Sequence, residues 1–202
     1  VISVLGFKRN IVLTRFSKNI KYAIQPKPLG TGNAVLNAFP KISKNTETLL
    51  VINGDDSAFY TPKTIKNVIE LHKKDKSVLT FVSLIQDNPL GLGRVVRDNA
   101  GKLLGTVEEK NTTDEQKKIK EVNDGLYVFN YKWLRKNIFN IKKNAMAKEY
   151  YLTDLIEIAL KNKEKVSVYT LPDSSEWQGI NTPEQLAEAE KKMVSRLNSV
   201  YL

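Results

Sequence analysis

The amino-acid sequence predicts an α/β fold in which a mostly parallel β-sheet is flanked by helices on both faces. Short β-rich runs alternate with helical patterns along the 202 residues, and polar turns containing glycine or aspartate follow several of the runs. One stretch, "GRVVRDNAGKLLGTVEEK" at residues 93–110, breaks this alternation. Its two β-rich halves are joined by Asn-Ala-Gly, which predicts a β-hairpin inserted beside the main sheet.

Six runs have the length and apolar content of buried strands. They are "VISVLG" (1–6), "IKYAIQ" (20–25), "TLLVING" (48–54), "SVLTFVSLI" (77–85), "GLYVF" (125–129) and "KVSVYTL" (165–171). The clearest helix begins at Pro62, which suits a first helical turn, and it places Ile65, Val68, Ile69 and His72 on one face. Further helices are predicted at residues 33–39, 131–137, 152–162 and 183–197.

The composition predicts one domain, residues 1–202, because 41% hydrophobic residues in a chain of this length suffice for one core. No apolar stretch approaches the roughly 20 residues of a membrane-spanning helix, and the N-terminus lacks a signal-peptide pattern. We therefore expect a soluble, cytoplasmic protein with no membrane partner. The absence of cysteine excludes disulfides, thiolate zinc sites and cysteine nucleophiles.

The net charge of +10 would suit a polyanionic partner, either a nucleic acid or a phosphate-rich small molecule. The lysines are spread along the chain and mixed with acidic residues, and no aromatic-interleaved basic stripe or nucleic-acid motif is present. This distribution favours solvated helix faces, so we expect no nucleic acid as a partner. The single histidine, His72, excludes a multi-histidine metal site, and we expect it at a helix surface or boundary.

Ligands of open α/β sheets bind beyond the carboxyl ends of the strands, so the residues that follow the predicted strands are the site candidates. After the second strand, Gln25 offers an amide that could read a base edge, and Gly30 and Gly32 would allow close approach of the backbone to a ligand. An ordinary strand-to-helix turn with Thr31 near the N-cap is the alternative.

Asp55 directly follows an apolar strand and a glycine, and a hard oxygen ligand at this position suits Mg²⁺ bound together with substrate phosphates. Asp56 could instead cap the following segment. Glu108 and Glu109, at the end of the inserted hairpin, could accept hydrogen bonds from sugar hydroxyls or could simply be solvated. The segment "EVNDGLYVF" by itself reads as a hairpin turn.

These signals occur in a characteristic order along the chain. Together "QPKPLGTGNAV", "VINGDD", "NPLGLGRVVRDNAGKLLGTVEEK", "DEQKKIKEVNDGLYVF", "KEYYLTDLIEIA" and "EWQGIN" resemble the uridylyltransferase domain of the bacterial N-acetylglucosamine-1-phosphate uridylyltransferase family. The resemblance runs from the beginning of the chain nearly to its end. It implies a Rossmann-like nucleotide-diphospho-sugar transferase fold.

The resemblance also implies residue roles. Gln25, Gly30 and Thr31 would contact the uracil, and Asp55 and Asn181 would bind Mg²⁺. The remaining positions that match the family would line the sugar site or lie near the sugar phosphate: Gly93, Glu108, Asn123, Tyr151 and Thr153.

The activity implied by the resemblance is uridylyl transfer from UTP to N-acetylglucosamine 1-phosphate, which yields the cell-wall precursor UDP-N-acetylglucosamine and pyrophosphate. It would proceed by in-line displacement assisted by Mg²⁺ without a protein nucleophile. A related sugar-1-phosphate nucleotidyltransferase with another sugar or base, and an inactive nucleotide-sugar binding module, are the alternatives.

Two departures from the family pattern affect these expectations. Asn53 stands where the family commonly has tyrosine. The chain opens on what resembles the second strand of the family domain, so the first strand and its glycine-rich phosphate loop, about 30 residues or more, are absent from the sequence. The hexapeptide repeats of the acetyltransferase half are absent too. We expect an N-terminally incomplete nucleotidyltransferase domain whose activity needs the missing loop.

Overall fold

The computed structural model describes residues 1–15 and 20–200 of the chain. Fifteen helices and strands of the described residues define the architecture, apart from four short 3₁₀ turns. In chain order they are β1 (Ile2–Leu5), α1 (Arg9–Arg15), β2 (Lys21–Ile24), α2 (Thr31–Ala38), β3 (Thr48–Val51), α3 (Pro62–Asp75), β4 (Leu79–Ile85), β5 (Arg94–Arg97), β6 (Leu103–Val107), α4 (Asp114–Lys117), β7 (Glu121–Asn130), α5 (Tyr131–Asn137), α6 (Asp154–Lys161), β8 (Val166–Thr170) and α7 (Pro183–Val200). The predicted α/β class is confirmed.

Local sequence explains where the clearest helix begins and ends. The Thr61 side chain accepts a hydrogen bond from the Thr64 backbone N–H at 3.1 Å, and Pro62 fills the first helical position, where no amide donor is needed. The helix ends where Lys76 adopts a left-handed conformation with φ of 51°. None of the helices that the structure describes is long and apolar enough to cross a membrane.

The contacts divide the chain into two compact units, each built from two separate segments. The first unit comprises Val1–Leu49 and Phe129–Glu164, and the second comprises Leu50–Val128 and Lys165–Leu202. The prediction of a single domain over residues 1–202 stays a prediction.

The first unit contains a two-stranded parallel sheet formed by β1 and β2, with Ile2 opposite Lys21 and Leu5 opposite Ile24. Helix α5 in the same unit is capped by Asn130, whose side-chain oxygen accepts a hydrogen bond from the Trp133 backbone at 3.0 Å. The first unit therefore has its own strands and helices, as the alternation in the sequence predicts.

The main sheet has the strand order β6-β5-β7-β4-β8, and β3 also pairs with β7. Strands β4 and β8 are parallel, whereas β5 and β6 form the antiparallel hairpin that the sequence predicts. The core of the second unit packs apolar side chains of these strands against α3: Val68, Val82, Leu84, Val122, Leu126, Val128 and Leu171. The hairpin and the six predicted strands are thus confirmed.

Four local expectations were wrong or incomplete. His72 is buried, 4% exposed, and its Nδ1 is hydrogen-bonded to Thr80 Oγ1 at 2.9 Å, because its helix packs on the sheet at that point. The segment 123–125 lies inside β7 and forms no hairpin turn. Helices α1 and α4 were not predicted: α1 is seven residues long and buries none of them, and α4 is a single polar turn.

Candidate active site

The residues expected to read the base lie together in the first unit, between β2 and α2. The amide of Gln25 donates from Nε2 to the Gly30 carbonyl oxygen at 3.0 Å and to Asn33 Oδ1 at 3.1 Å. Among the described residues, no group donates a hydrogen bond to Gln25 Oε1. This side chain is therefore held by its NH₂ group and presents its oxygen as an acceptor.

The glycines of this turn pack closely against another segment of the chain. Gly30 has φ of 90°, and a Cβ there would lie 2.6 Å from the Tyr150 carbonyl oxygen, while a Cβ at Gly32 would lie 3.1 Å from the same atom. The Gly32 N–H donates to that oxygen at 2.9 Å. The close backbone approach that requires glycine is thus to the segment around Tyr150 of the same chain.

The same docking places Tyr151 and Thr153 beside the turn between β2 and α2. The Leu152 N–H donates to Thr31 Oγ1 at 2.9 Å, and the Tyr150 N–H donates to the Leu29 carbonyl at 2.8 Å. Thr31 is the first residue of α2, and Gly30 is its N-cap residue. The Thr31 hydroxyl therefore does not cap its own helix and instead accepts a hydrogen bond from the segment around Tyr150. The structure thus brings Gln25, Gly30, Thr31, Tyr151 and Thr153 into one region of the first unit.

The two expected metal ligands lie together in the second unit. The Ile180 N–H donates to the Asp55 carbonyl oxygen at 2.9 Å, which sets Asn181 beside the turn after β3. The backbone of Asn181 is held in turn by Gln185, whose Oε1 accepts from its N–H at 2.7 Å. Both Asp55 and Asn181 are exposed.

The donor set of this pair fits Mg²⁺. A carboxylate and an amide oxygen are hard ligands, and within residues 1–15 and 20–200 neither side chain is engaged in a hydrogen bond or ion pair. The described residues contain no group of three or more histidine, cysteine, aspartate and glutamate side chains that could hold a metal by themselves. A Mg²⁺ ion here would need further oxygen ligands, which substrate phosphates and water supply.

The three residues expected at the sugar also meet in the second unit. Gly93 precedes β5, Glu108 follows β6, and Asn123 lies near the start of β7. The Asn123 N–H donates to the Gly93 carbonyl at 2.9 Å, and a Cβ at Gly93 would lie 3.7 Å from Glu108 Oε2. Asn123 is only 7% exposed, and its Nδ2 donates to the Tyr127 hydroxyl at 2.6 Å.

A buried carboxyl group, Asp124, and a half-buried one, Asp56, lie near these residues. Asp124 is 3% exposed and accepts hydrogen bonds from the Tyr60 hydroxyl at 2.5 Å and the Leu126 N–H at 2.8 Å. Burial raises the pKa of Asp124 to about 7 despite these bonds. Burial, with a smaller contribution from the charge of Asp55, likewise raises the pKa of Asp56 to about 7.

The position where the family has tyrosine contacts one of these acids. Asn53 Nδ2 donates to Asp56 Oδ2 at 3.5 Å, and Asp56 Oδ1 is buried with no hydrogen-bond partner among the described groups. The indole N–H of Trp177 faces the same carboxyl and lowers its pKa, but it too falls short of a hydrogen bond. Asn53 therefore has a structural contact in place of the aromatic one expected of tyrosine.

A family model described as nucleotidyl transferase matches residues 6–196. The chain belongs to the nucleotidyl transferase family. Curated relatives in this family include bifunctional protein GlmU of Streptococcus gordonii and of Streptococcus sanguinis, which are 39% and 38% identical to the whole of this chain over 201 residues. The nucleotidyl transferase chain described here covers 44% of each of these relatives, so it spans less than half of their length.

A solved structure shows the same fold. It is a candidate glucose-1-phosphate thymidylyltransferase from Bacillus anthracis in complex with sucrose, with a TM-score of 0.72. The match covers 93% of this chain and 73% of the other at 19% identity, so it supports the nucleotidyl transferase fold alone.

Sequence reasoning missed several residues of this nucleotidyl transferase site. Arg94 is fully buried and forms an ion pair with Glu109, and Tyr60 and Asp124 form a second buried polar contact. Arg94 directly follows Gly93 in the quoted motif, and this position could have marked it as a candidate residue. The Tyr60–Asp124 contact joins positions distant in sequence, and no local pattern announces it.

Proposed function

We propose that this domain transfers a uridylyl group from UTP to N-acetylglucosamine 1-phosphate, with Mg²⁺ as cofactor. The observation that carries the proposal is the Ile180 to Asp55 hydrogen bond, which joins the two segments carrying the expected metal ligands. The family match over residues 6–196 and the order of the motifs support the same reaction class.

The chemistry is an in-line displacement. A phosphate oxygen of the sugar 1-phosphate attacks the α-phosphorus of UTP, a new P–O bond forms, and the bond from that phosphorus to the bridging oxygen breaks to release pyrophosphate. No covalent intermediate with the protein is required, so the chain needs no nucleophile. When bound, Mg²⁺ would neutralise negative charge on the phosphates, and Asp55 and Asn181 are the residues that would hold it.

Base selection follows from the way Gln25 is held. Its amide NH₂ group donates hydrogen bonds to Gly30 and Asn33, which leaves the amide oxygen to accept a hydrogen bond from the base. A flip of the amide, which would present the NH₂ group to the base instead, would break both of these hydrogen bonds. Uracil carries an N3–H donor, whereas cytosine has an acceptor at N3. We therefore expect UTP to be preferred over CTP through this contact.

Sugar binding would use the backbone of Gly93 and the side chain of Glu108. Because Asn123 Nδ2 is already bonded to the Tyr127 hydroxyl, Asn123 would act through a remaining acceptor or by holding its neighbours. Tyr151 and Thr153 would lie toward the sugar phosphate.

A substrate panel tests the proposal. A form of the protein extended at its N-terminus to include the family's glycine-rich phosphate loop would be incubated with UTP, CTP or dTTP, each with N-acetylglucosamine 1-phosphate or glucose 1-phosphate. Pyrophosphate release would be followed with Mg²⁺ or with EDTA. We expect fastest release with UTP and N-acetylglucosamine 1-phosphate, and loss of release with EDTA.

Other outcomes would replace the proposal. Preference for another pair would identify a related nucleotidyltransferase with a different base or sugar. Binding of UDP-N-acetylglucosamine by calorimetry without turnover of any pair would identify an inactive nucleotide-sugar binding module.

A further inference from the structure

The buried ion pair between Arg94 and Glu109 lies among the three residues expected at the sugar. Arg94 is 2% exposed, Glu109 is 24% exposed, and Arg94 Nη1 lies 2.7 Å from Glu109 Oε2. Arg94 Nη1 also donates to the Leu92 carbonyl oxygen. Arg94 Nε and Glu109 Oε2 are both buried without a hydrogen-bond partner within the part of the chain that the structure describes, so the pair is a close charge contact that lacks hydrogen-bond geometry.

Strand register gives Arg94 a connection to every candidate sugar residue. It follows Gly93 directly, it lies opposite Val107 on β6, and it lies opposite Val122 on β7. Glu108 and Asn123 are the next residues after those two partners.

The ion-pair partner reinforces this arrangement. Glu109 is the chain neighbour of Glu108 and begins a 3₁₀ turn directly after it. A shift of the Arg94–Glu109 pair would therefore move the backbone on both sides of Glu108.

The energetics argue against a purely stabilising role. Removing a guanidinium from water is unfavourable, and a buried ion pair is generally no more stabilising than well-packed apolar side chains of similar volume. The unpartnered Arg94 Nε adds to that penalty. An apolar pair would serve a merely structural need at least as well.

We propose that the Arg94–Glu109 ion pair is a positioning device that holds Gly93, Glu108 and Asn123 in register for the acceptor sugar. Neither Arg94 nor Glu109 is assigned a contact with the substrate; the pair acts on sugar affinity through the three neighbouring residues. This inference rests on the proposed sugar-1-phosphate nucleotidyltransferase function.

The test replaces both charges by apolar side chains in the double variant Arg94→Met with Glu109→Met. Thermal unfolding should be close to that of the unmodified chain, because the apolar pair avoids a buried unpaired charge. The KM for the sugar 1-phosphate should rise about tenfold or more, as for loss of a well-placed hydrogen bond, while the KM for the nucleotide stays within about twofold. A single variant, Glu109→Gln, should show the same split between the two KM values.

A matched control lies on the same strands. Arg97 on β5 pairs with Glu121 on β7 at 2.7 Å, and neither is the chain neighbour of a candidate sugar residue. The double variant Arg97→Met with Glu121→Met should leave both KM values unchanged.

The outcomes separate this inference from the proposed function. Suppose that the unmodified chain turns over the sugar 1-phosphate and that the double variant is folded. An unchanged KM for the sugar 1-phosphate in the double variant would then overturn the positioning role and leave the proposed function standing. If the unmodified chain shows no turnover, calorimetric titration with N-acetylglucosamine 1-phosphate decides: weaker binding by the double variant supports the positioning role, and equal binding, or none to either protein, overturns it.

Discussion

Replacing Asp124 by asparagine should make the protein more stable at neutral and alkaline pH. The carboxyl is 3% exposed, and burial raises its pKa from an ordinary value of 3.8 to about 7. The charge on Asp56 raises the pKa further, whereas the hydrogen bonds from Tyr60 and Leu126 oppose the rise. The folded protein therefore retains a proton at pH values where the unfolded chain has lost it.

The sign and size of the effect follow from linkage. Because the folded-state pKa is the higher one, the contribution of Asp124 to stability is fully present below pH 3.8 and is lost as the pH rises through about 7. A shift of this size corresponds to about 4 kcal/mol of unfolding free energy across that window.

Asparagine preserves the geometry of the site. Its Oδ1 can still accept from the Leu126 N–H, and its Nδ2 can donate to the Tyr60 hydroxyl, which reverses the direction of that bond. The variant therefore removes the ionisation and keeps both contacts. Asp124→Ala is the control, since it leaves the Tyr60 and Leu126 donors unpaired and should destabilise the protein at every pH.

Urea unfolding of both proteins at pH 4 to 8 measures the effect. The unfolding free energies of Asp124→Asn and of the unmodified chain should converge near pH 4 and should differ by about 4 kcal/mol at pH 8, with the variant more stable. Groups that titrate equally in both proteins cancel in this difference. Parallel stability curves over the whole range would refute the reasoning.

Three further perturbations test the site and the fold. In the N-terminally extended protein, Asp55→Asn should lower turnover by orders of magnitude at an unchanged melting temperature, since the side chain is exposed; near-normal turnover in saturating Mg²⁺ would remove Asp55 from the metal site. Gln25→Ala should cost about 1–3 kcal/mol of discrimination, seen as a smaller ratio of UTP to CTP specificity constants, and an unchanged ratio would contradict base reading. Gly125→Ala should lower the urea midpoint, because Gly125 has φ of 91°, which L residues rarely adopt, and the Asn53 side chain would have to move away from the new Cβ; an unaltered midpoint would contradict this backbone strain.

Much of the fold was predictable because its signals are local. The Pro62 helix start, the Asn-Ala-Gly hairpin and the apolar strands each depend on residues close in sequence, and the structure confirms them. The predicted first and last residues of the helices and the predicted length of β7 were less accurate. Strand β7 begins at Glu121, and Gly125 with its positive φ lies inside it, so a turn-like composition concealed a continuous strand.

The candidate site was predictable only in its residue types and order. Asp55 and Asn181 follow from motif order, and their association through Ile180 needed the structure. The packing of Gly30 against Tyr150 was not predictable, because Tyr150 lies far along the chain. His72 was misplaced for a different reason: its partner Thr80 is close in sequence, but only the packing of the helix on strand β4 brings the two side chains together.

The interleaving of the two compact units has a consequence for how the chain acquires its fold during synthesis. The first unit needs residues up to Glu164, and the second needs β8, which begins at Val166. Strand β4 pairs with β8 through Leu79 opposite Val166. At translation rates of about 5–20 residues per second, the most buried strand of the sheet waits about 4–17 s for that partner. During this interval β4 presents an unpaired apolar edge, and a second nascent copy on the same messenger is the nearest chain that could occupy it.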